Sequence, residues 1–151
     1  MRIAVQQEPV DLALETARLS EGRTDIGAVV AFTGLCRSEG GRLAALHLEH
    51  YPGMAEEEIG RVAAEAASRW PLLGVTVVHR FGRVVPGEVI VLAACASAHR
   101  EAAFAAASFL MDYLKTRAPF WKKEERSDGT LAEWVEAKGD DDAAAARWDR
   151  G

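Results

Sequence analysis

The sequence predicts an α+β fold, with a mostly antiparallel sheet and flanking helices. Three observations predict it. Short apolar runs bounded by glycine and proline recur along the chain. Several of them are joined by hairpin-like turns, such as Pro86-Gly87 and Ser127-Asp128-Gly129. Between them lie stretches whose apolar residues recur at helical spacing. Strands joined by hairpins fit this class better than a doubly wound parallel sheet.

The elements follow in order. Ile3 to Gln6 reads as a short strand, and Pro9-Val10-Asp11 leads into a helix with apolar Leu12, Leu14, Ala17 and Leu19. Ile26 to Thr33 reads as a strand that is apolar on both faces, and therefore central in its sheet. Gly34 to Gly41 is a glycine-flanked loop, and Leu43 to Tyr51 the next strand. From Ala55 to Trp70, Ile59, Val62, Ala63, Ala66, Ala67 and Trp70 mark a helix that Pro71 ends. Val75 to Val84 and Glu88 to Ala96 read as paired strands. Ser97 is the expected N-cap of a long helix running to Thr116, with Phe104, Phe109, Leu110, Tyr113 and Leu114 on its apolar side. Phe120 to Arg126 and Leu131 to Ala137 read as a last hairpin. The tail 139–151 is expected as a flexible end that can form a short helix, its aspartates at the favourable N-terminal end.

The chain has 151 residues, which suits a single domain over 1–151 with its own core. A net charge of −5 argues against broad nucleic-acid or anionic-membrane binding, because both need an extended positive field. No apolar run is long enough to cross a bilayer, and the N-terminus lacks a signal-peptide core, so a cytoplasmic location is expected. The two cysteines, Cys36 and Cys95, fit a reducing compartment. With four histidines they form no zinc spacing, so neither metal nor cofactor is expected. There is no dinucleotide fingerprint, phosphate-binding loop or nucleophile elbow.

Against this acidic background the stretch 111–124 is an exception. Lys115, Arg117, Lys122 and Lys123 gather around Ala118-Pro119-Phe120-Trp121, with Glu124 beside them. His99-Arg100 places two more cations at the start of the long helix. Free N–H groups lie there, and cations work against the helix dipole. Arg37 in the glycine-flanked loop suits bidentate contact to phosphate. Together these residues read as one anion-binding site. Taken singly, each has a plainer reading: lysines favoured at a helix C-terminus, edge-strand protection, or a solvated loop arginine. Cys36 fits a packed thiol better than a nucleophile. His47, His50 and His79 lie in strands without ligand spacing and read as structural or surface residues.

Five segments then combine. Phe32-Thr33-Gly34 with Arg37, Leu48 to Met54, Ser97 to Arg100, Met111 to Lys122, and Trp134 to Ala137 resemble the MoaE family, the large catalytic subunits of molybdopterin synthase. The resemblance implies an α/β hammerhead-type fold. It implies a homodimer of large subunits within a heterotetramer, each binding a small ubiquitin-like sulfur-carrier subunit. It also implies sulfur transfer from that carrier's C-terminal thiocarboxylate to cyclic pyranopterin monophosphate, forming the dithiolene of molybdopterin. Carried over by position, Lys115 and Lys122 are the catalytic residues. Leu35, Cys36, Arg37, His99, Arg100, Lys123 and Glu124 join them in binding substrate, His99 and Arg100 coming either from the same chain or from across the dimer. Lys123 and Lys138 stand where the family also uses arginine, and the loop after Arg37 is short. The competing readings are a module that binds a carrier tail or phosphorylated ligand without turnover and, more distantly, a nucleic-acid binder.

Overall fold

A computed structural model describes residues 1–132 and 139–150, with side chains of 139–142 and 150 left aside. The elements are β1 (Arg2–Gln6), α1 (Leu12–Ser20), β2 (Ala28–Leu35), β3 (Leu43–His50), α2 (Met54–Arg69), β4 (Leu72–Arg80), β5 (Gly82–Val84), β6 (Val89–Ser97), α3 (Arg100–Arg117), β7 (Phe120–Arg126) and α4 (Gly139–Ala146), followed by a 3-10 turn at Arg147–Arg150. They build two sheets, one ordered β1-β4-β6-β2 and the other β5-β3-β7. Only the β1–β4 pairing is parallel; the other four named pairings are antiparallel. The expected α+β class is therefore what the chain adopts.

The main core lies between the first sheet and helices α2 and α3. Ile59, Val62, Val77, Ala93, Phe109, Leu110 and Tyr113 are buried there. A second cluster under α1 holds Leu19, Val78, Leu92, Ala94 and Ala96. The β5-β3-β7 sheet closes over a third, formed by Cys36, Leu43, Leu46, Leu48 and Val84. The tail helix packs on α3. Trp148 Nε1 donates to Asp112 Oδ2 at 2.6 Å, and the Tyr113 hydroxyl donates to Asp149 Oδ1 at 2.6 Å.

Several expectations need correction. Among the described residues the strand at 28–35 pairs only with β6, at the edge of its sheet, and Val29, Phe32 and Leu35 on it are exposed. Its two apolar faces had suggested a central position. The predicted strand 75–84 is two strands in different sheets. It breaks at Gly82, whose φ of 88° turns the chain from β4 into β5. Ser97 does not cap α3. It ends β6, its hydroxyl donates to Pro71 O at 2.9 Å, and His99 takes the N-cap position. Phe104 is 63% exposed rather than on the buried side of α3. In α1 the buried residues are Glu15 and Leu19, while Leu14 faces solvent. The Glu15 carboxylate is held by Arg2 through two bonds of 2.8 and 2.9 Å. Leu131 forms a bridge with Glu125, but Trp134, Val135, Glu136, Ala137 and Lys138 lie outside the described residues.

Candidate active site

The site is built where α3 ends and β7 begins. Successive side chains of a strand point to opposite faces. The register places Phe120 opposite His50, Lys122 opposite Leu48, and Glu124 opposite Leu46. These six residues share one face, which continues into the cluster of Cys36, Leu43 and Val84. Trp121, Lys123 and Glu125 share the other face with Glu49 and His47. On that outer face Arg83 holds Glu125 at 2.8 Å, which keeps the carboxyl below its ordinary range.

Lys115 lies in the last turn of α3 and is exposed. Arg117, two residues on, is engaged elsewhere: its guanidinium lies over the Tyr113 ring at 4.2 Å and 3.8 Å from Glu65. The helix ends at Ala118, and the strand starts two residues later. Lys115 and Lys122 therefore flank a tight reversal. The segment between them in sequence carries Phe120, which belongs to an aromatic stack. His79, near the end of β4, stacks on Phe120 with ring centroids 3.8 Å apart and planes 15° apart. Burial pushes the His79 imidazole down to about 4, with the charges of His50 and Lys115 acting in the same direction. Its Nδ1 lies 2.7 Å from Arg80 O. A carbonyl only accepts, so Nδ1 carries the hydrogen and Nε2 is the unprotonated nitrogen. His50 completes the group, with ring centroids 4.5 Å from Phe81 and 5.9 Å from Phe120.

The remaining predicted residues divide. Cys36 is buried, with Sγ 3.8 Å from Val84 O, and burial pushes its thiol up, which suits packing rather than nucleophilic attack. It sits in the same cluster as Leu48, so the 35–37 loop lies on the Lys122 side of the sheet. Leu35 is 55% exposed, and Arg37 is exposed and 3.3 Å from Glu39. Glu124 shares the Lys122 face, while Lys123 belongs to the opposite one. Within this chain His99 and Arg100 lie at the opposite end of α3 from Lys115. Arg100 starts α3 and Lys115 lies in its last turn, so about 22 Å of rigid helix separates them. The single cationic cluster read from the sequence is thus two groups at opposite ends of α3.

Sequence reasoning read His50 and His79 as structural or surface residues, and the structure packs both rings against Phe120. Nothing in their spacing could have paired them, because they come from strands of different sheets. Among the described residues, no group of three or more His, Cys, Asp or Glu side chains is placed to hold a metal ion.

Residues 5–117 match the family model described as MoaE protein. A relative from Mesorhizobium japonicum, named molybdopterin synthase catalytic subunit, is 64% identical over 97% of this chain and 92% of its own length. A relative of the same name from Escherichia coli is 49% identical, with 97% of each chain covered. Among solved structures, a molybdopterin biosynthesis MoaE protein from Burkholderia ambifaria superposes with a TM-score of 0.85 at 48% identity, covering 98% of this chain and 97% of the other. A molybdopterin synthase structure from Staphylococcus aureus gives 0.79 at 30% identity, covering 87% of this chain and 95% of the other.

Proposed function

We propose, from the premise that the chain belongs to the MoaE family, that it is the catalytic subunit of a molybdopterin synthase, a sulfurtransferase of molybdenum cofactor biosynthesis. The domain spans 1–151 and works in the cytoplasm. Its partner is a small ubiquitin-like carrier whose C-terminal thiocarboxylate supplies sulfur. Its substrate is cyclic pyranopterin monophosphate, which receives two sulfurs in turn to become the dithiolene product.

The observation that supports this reading is that Lys122 shares a strand face with Phe120, on which His79 stacks, while Lys115 lies near enough to His79 to disfavour its charge. Thiocarboxylate and substrate phosphate are both anions, which repel one another in water. Two ammonium groups beside one apolar wall offset that repulsion and hold the ends together. The same charges stabilise the negative charge that develops as sulfur is transferred. Either lysine can deliver a proton to the departing oxygen. Leu35, Cys36 and Arg37 form the substrate loop, with Arg37 exchanging Glu39 for phosphate. Glu124 lies beside Lys122, and Lys123 extends the wall from the outer face. No helix among the described residues is long and apolar enough to cross a membrane.

His99 and Arg100 join this site only if a second copy supplies them, since α3 holds its own pair too far away. The edge strand β2, which carries exposed Val29, Phe32 and Leu35, is the surface this reading assigns to that copy. The reading therefore includes a homodimer of large subunits within a heterotetramer.

The test is direct. Lys115→Ala and Lys122→Ala should each keep the fold and lose at least about a hundredfold in dithiolene formation with a thiocarboxylated carrier. Turnover at the wild-type rate by both variants would remove the lysines from the mechanism. Tight carrier binding without any product from the wild-type chain would favour the non-catalytic module instead.

A further inference from the structure

We propose that Glu88 is a positioning residue for this site: its side chain folds the 85–88 turn to which the substrate loop 35–37 is bonded, and so fixes where Arg37 meets the substrate phosphate. The inference rests on the sulfur-transfer reading above and adds a residue to it. Pro86-Gly87 lies between β5 and β6. Glu88 N donates to Val85 O at 3.1 Å and Gly87 has a φ of 92°, the pattern of a proline–glycine β-turn. The Glu88 carboxylate reaches back across this turn and accepts from Val85 N at 2.8 Å. The turn is therefore closed twice, once by backbone and once by this side chain.

The substrate loop hangs on that turn. Cys36 N donates to Glu88 O at 2.9 Å, and Gly87 N donates to Cys36 O at 2.8 Å. The β2–β6 ladder shifts register between Gly34 and Leu35, so these two bonds carry the order of the sheet into the loop. On the far side of Arg37, Ser38 O accepts from Gly41 N at 3.1 Å and from Leu43 N at 2.9 Å. Arg37 lies between the two anchors with its side chain 81% exposed. Behind the turn is Arg80, a buried guanidinium whose Nε and Nη2 both donate to Gln7 O. Its Nη1 lies 3.5 Å from Glu88 Oε2. A buried cation needs an opposite charge near it. Glu88 thus serves two partners through separate oxygens: Oε1 shapes the turn and Oε2 faces Arg80.

The experiment uses the full-length chain assembled with its small subunit. It measures melting temperature, kcat, and KM for cyclic pyranopterin monophosphate. Glu88→Ala removes both contacts. Glu88→Gln keeps an oxygen for Val85 N but leaves Arg80 without its counter-charge. Both variants should melt below wild type. In Glu88→Ala, KM should rise about tenfold with kcat within about twofold, because a contact to phosphate is held before and during transfer. Glu88→Gln should restore most of that KM, which lost stability alone would not allow. Arg37→Ala should raise KM by itself, and adding Glu88→Ala to it should raise KM no further, since Glu88 acts through Arg37. Where Glu88→Ala does not fold, Glu88→Asp, one methylene short of Val85 N, makes the same comparison in milder form. Three outcomes overturn the inference and leave the sulfur-transfer reading standing: wild-type KM in the folded Glu88→Ala or Glu88→Asp variant, a KM in Glu88→Gln as high as in Glu88→Ala, or additive rises in the double variant. Absence of product from the wild-type assembly overturns both.

Discussion

At the residue scale, the two lysines were legible because chemistry-bearing residues crowd one short segment. The packing of His50 and His79 was not. A histidine's role here depends on burial and ring stacking, which arise only when β3, β4 and β7 meet. His79 carries a testable consequence. In an unfolded chain an imidazole takes up its proton near pH 6.5, but in the folded protein His79 does so only near 4. Between those values the unfolded state binds more protons, so stability falls as pH falls. The slope from this one group reaches about 1.4 kcal/mol per pH unit and ends below the folded value. Urea midpoints measured from pH 7 to pH 4 should show the decline, and His79→Phe, which keeps a ring on Phe120, should flatten it. An equally steep decline in that variant would assign the loss to other groups. Charging His79 would also place a cation beside Lys115, so the fold's preference for the neutral ring keeps the cationic pair from gaining a third charge.

At the element scale, helices and strands were read from period and punctuation, and most appear within a residue or two of expectation. The failures are local contests that periodicity does not see. Ser97 has the chemistry of an N-cap, but its hydroxyl is taken by Pro71 O and its carbonyl accepts from Gly27 N at 3.0 Å. The strand register extends through Ser97, and the helix starts later. The run 75–84 is continuous in hydropathy, yet a positive φ at Gly82 divides it between sheets. Gly27 shows how tightly the β6–α3 junction is set. A Cβ there would collide with the Ala98 carbonyl oxygen, which is backbone and cannot rotate away. Gly27→Ala should therefore cost about 1–3 kcal/mol and displace the segment carrying His99. Chemical denaturation measures the first effect, and product formation the second, which should exceed what lost stability alone explains. A variant with wild-type midpoint and rate would show that the junction adapts freely.

At the scale of the whole molecule, α3 acts as a ruler. It is buried along Ala102, Ala103, Ala106, Phe109, Leu110 and Tyr113, so it cannot bend to bring its ends together. Its cationic start and cationic end therefore serve different places in space. The sequence placed all these cations in one site, which holds only if two chains build it. Mixed assemblies decide the matter. In a dimer pairing one Lys115→Ala protomer with one Arg100→Ala protomer, shared sites would include one with both substitutions and one with neither. Each variant alone should be nearly inactive. Random mixing of the two should recover about one quarter of wild-type sites, because about half the dimers are mixed and each contains one intact site. Activity should appear with the kinetics of subunit exchange and vanish if the dimers are crosslinked before mixing. If each site instead drew only on its own chain, every site in the mixture would carry one substitution, and mixing would recover nothing. The exposed β2 edge links this test to the fold. A charge placed there, as in Phe32→Glu, should disrupt the dimer and abolish the recovery, since an apolar strand edge facing another chain tolerates a buried charge poorly.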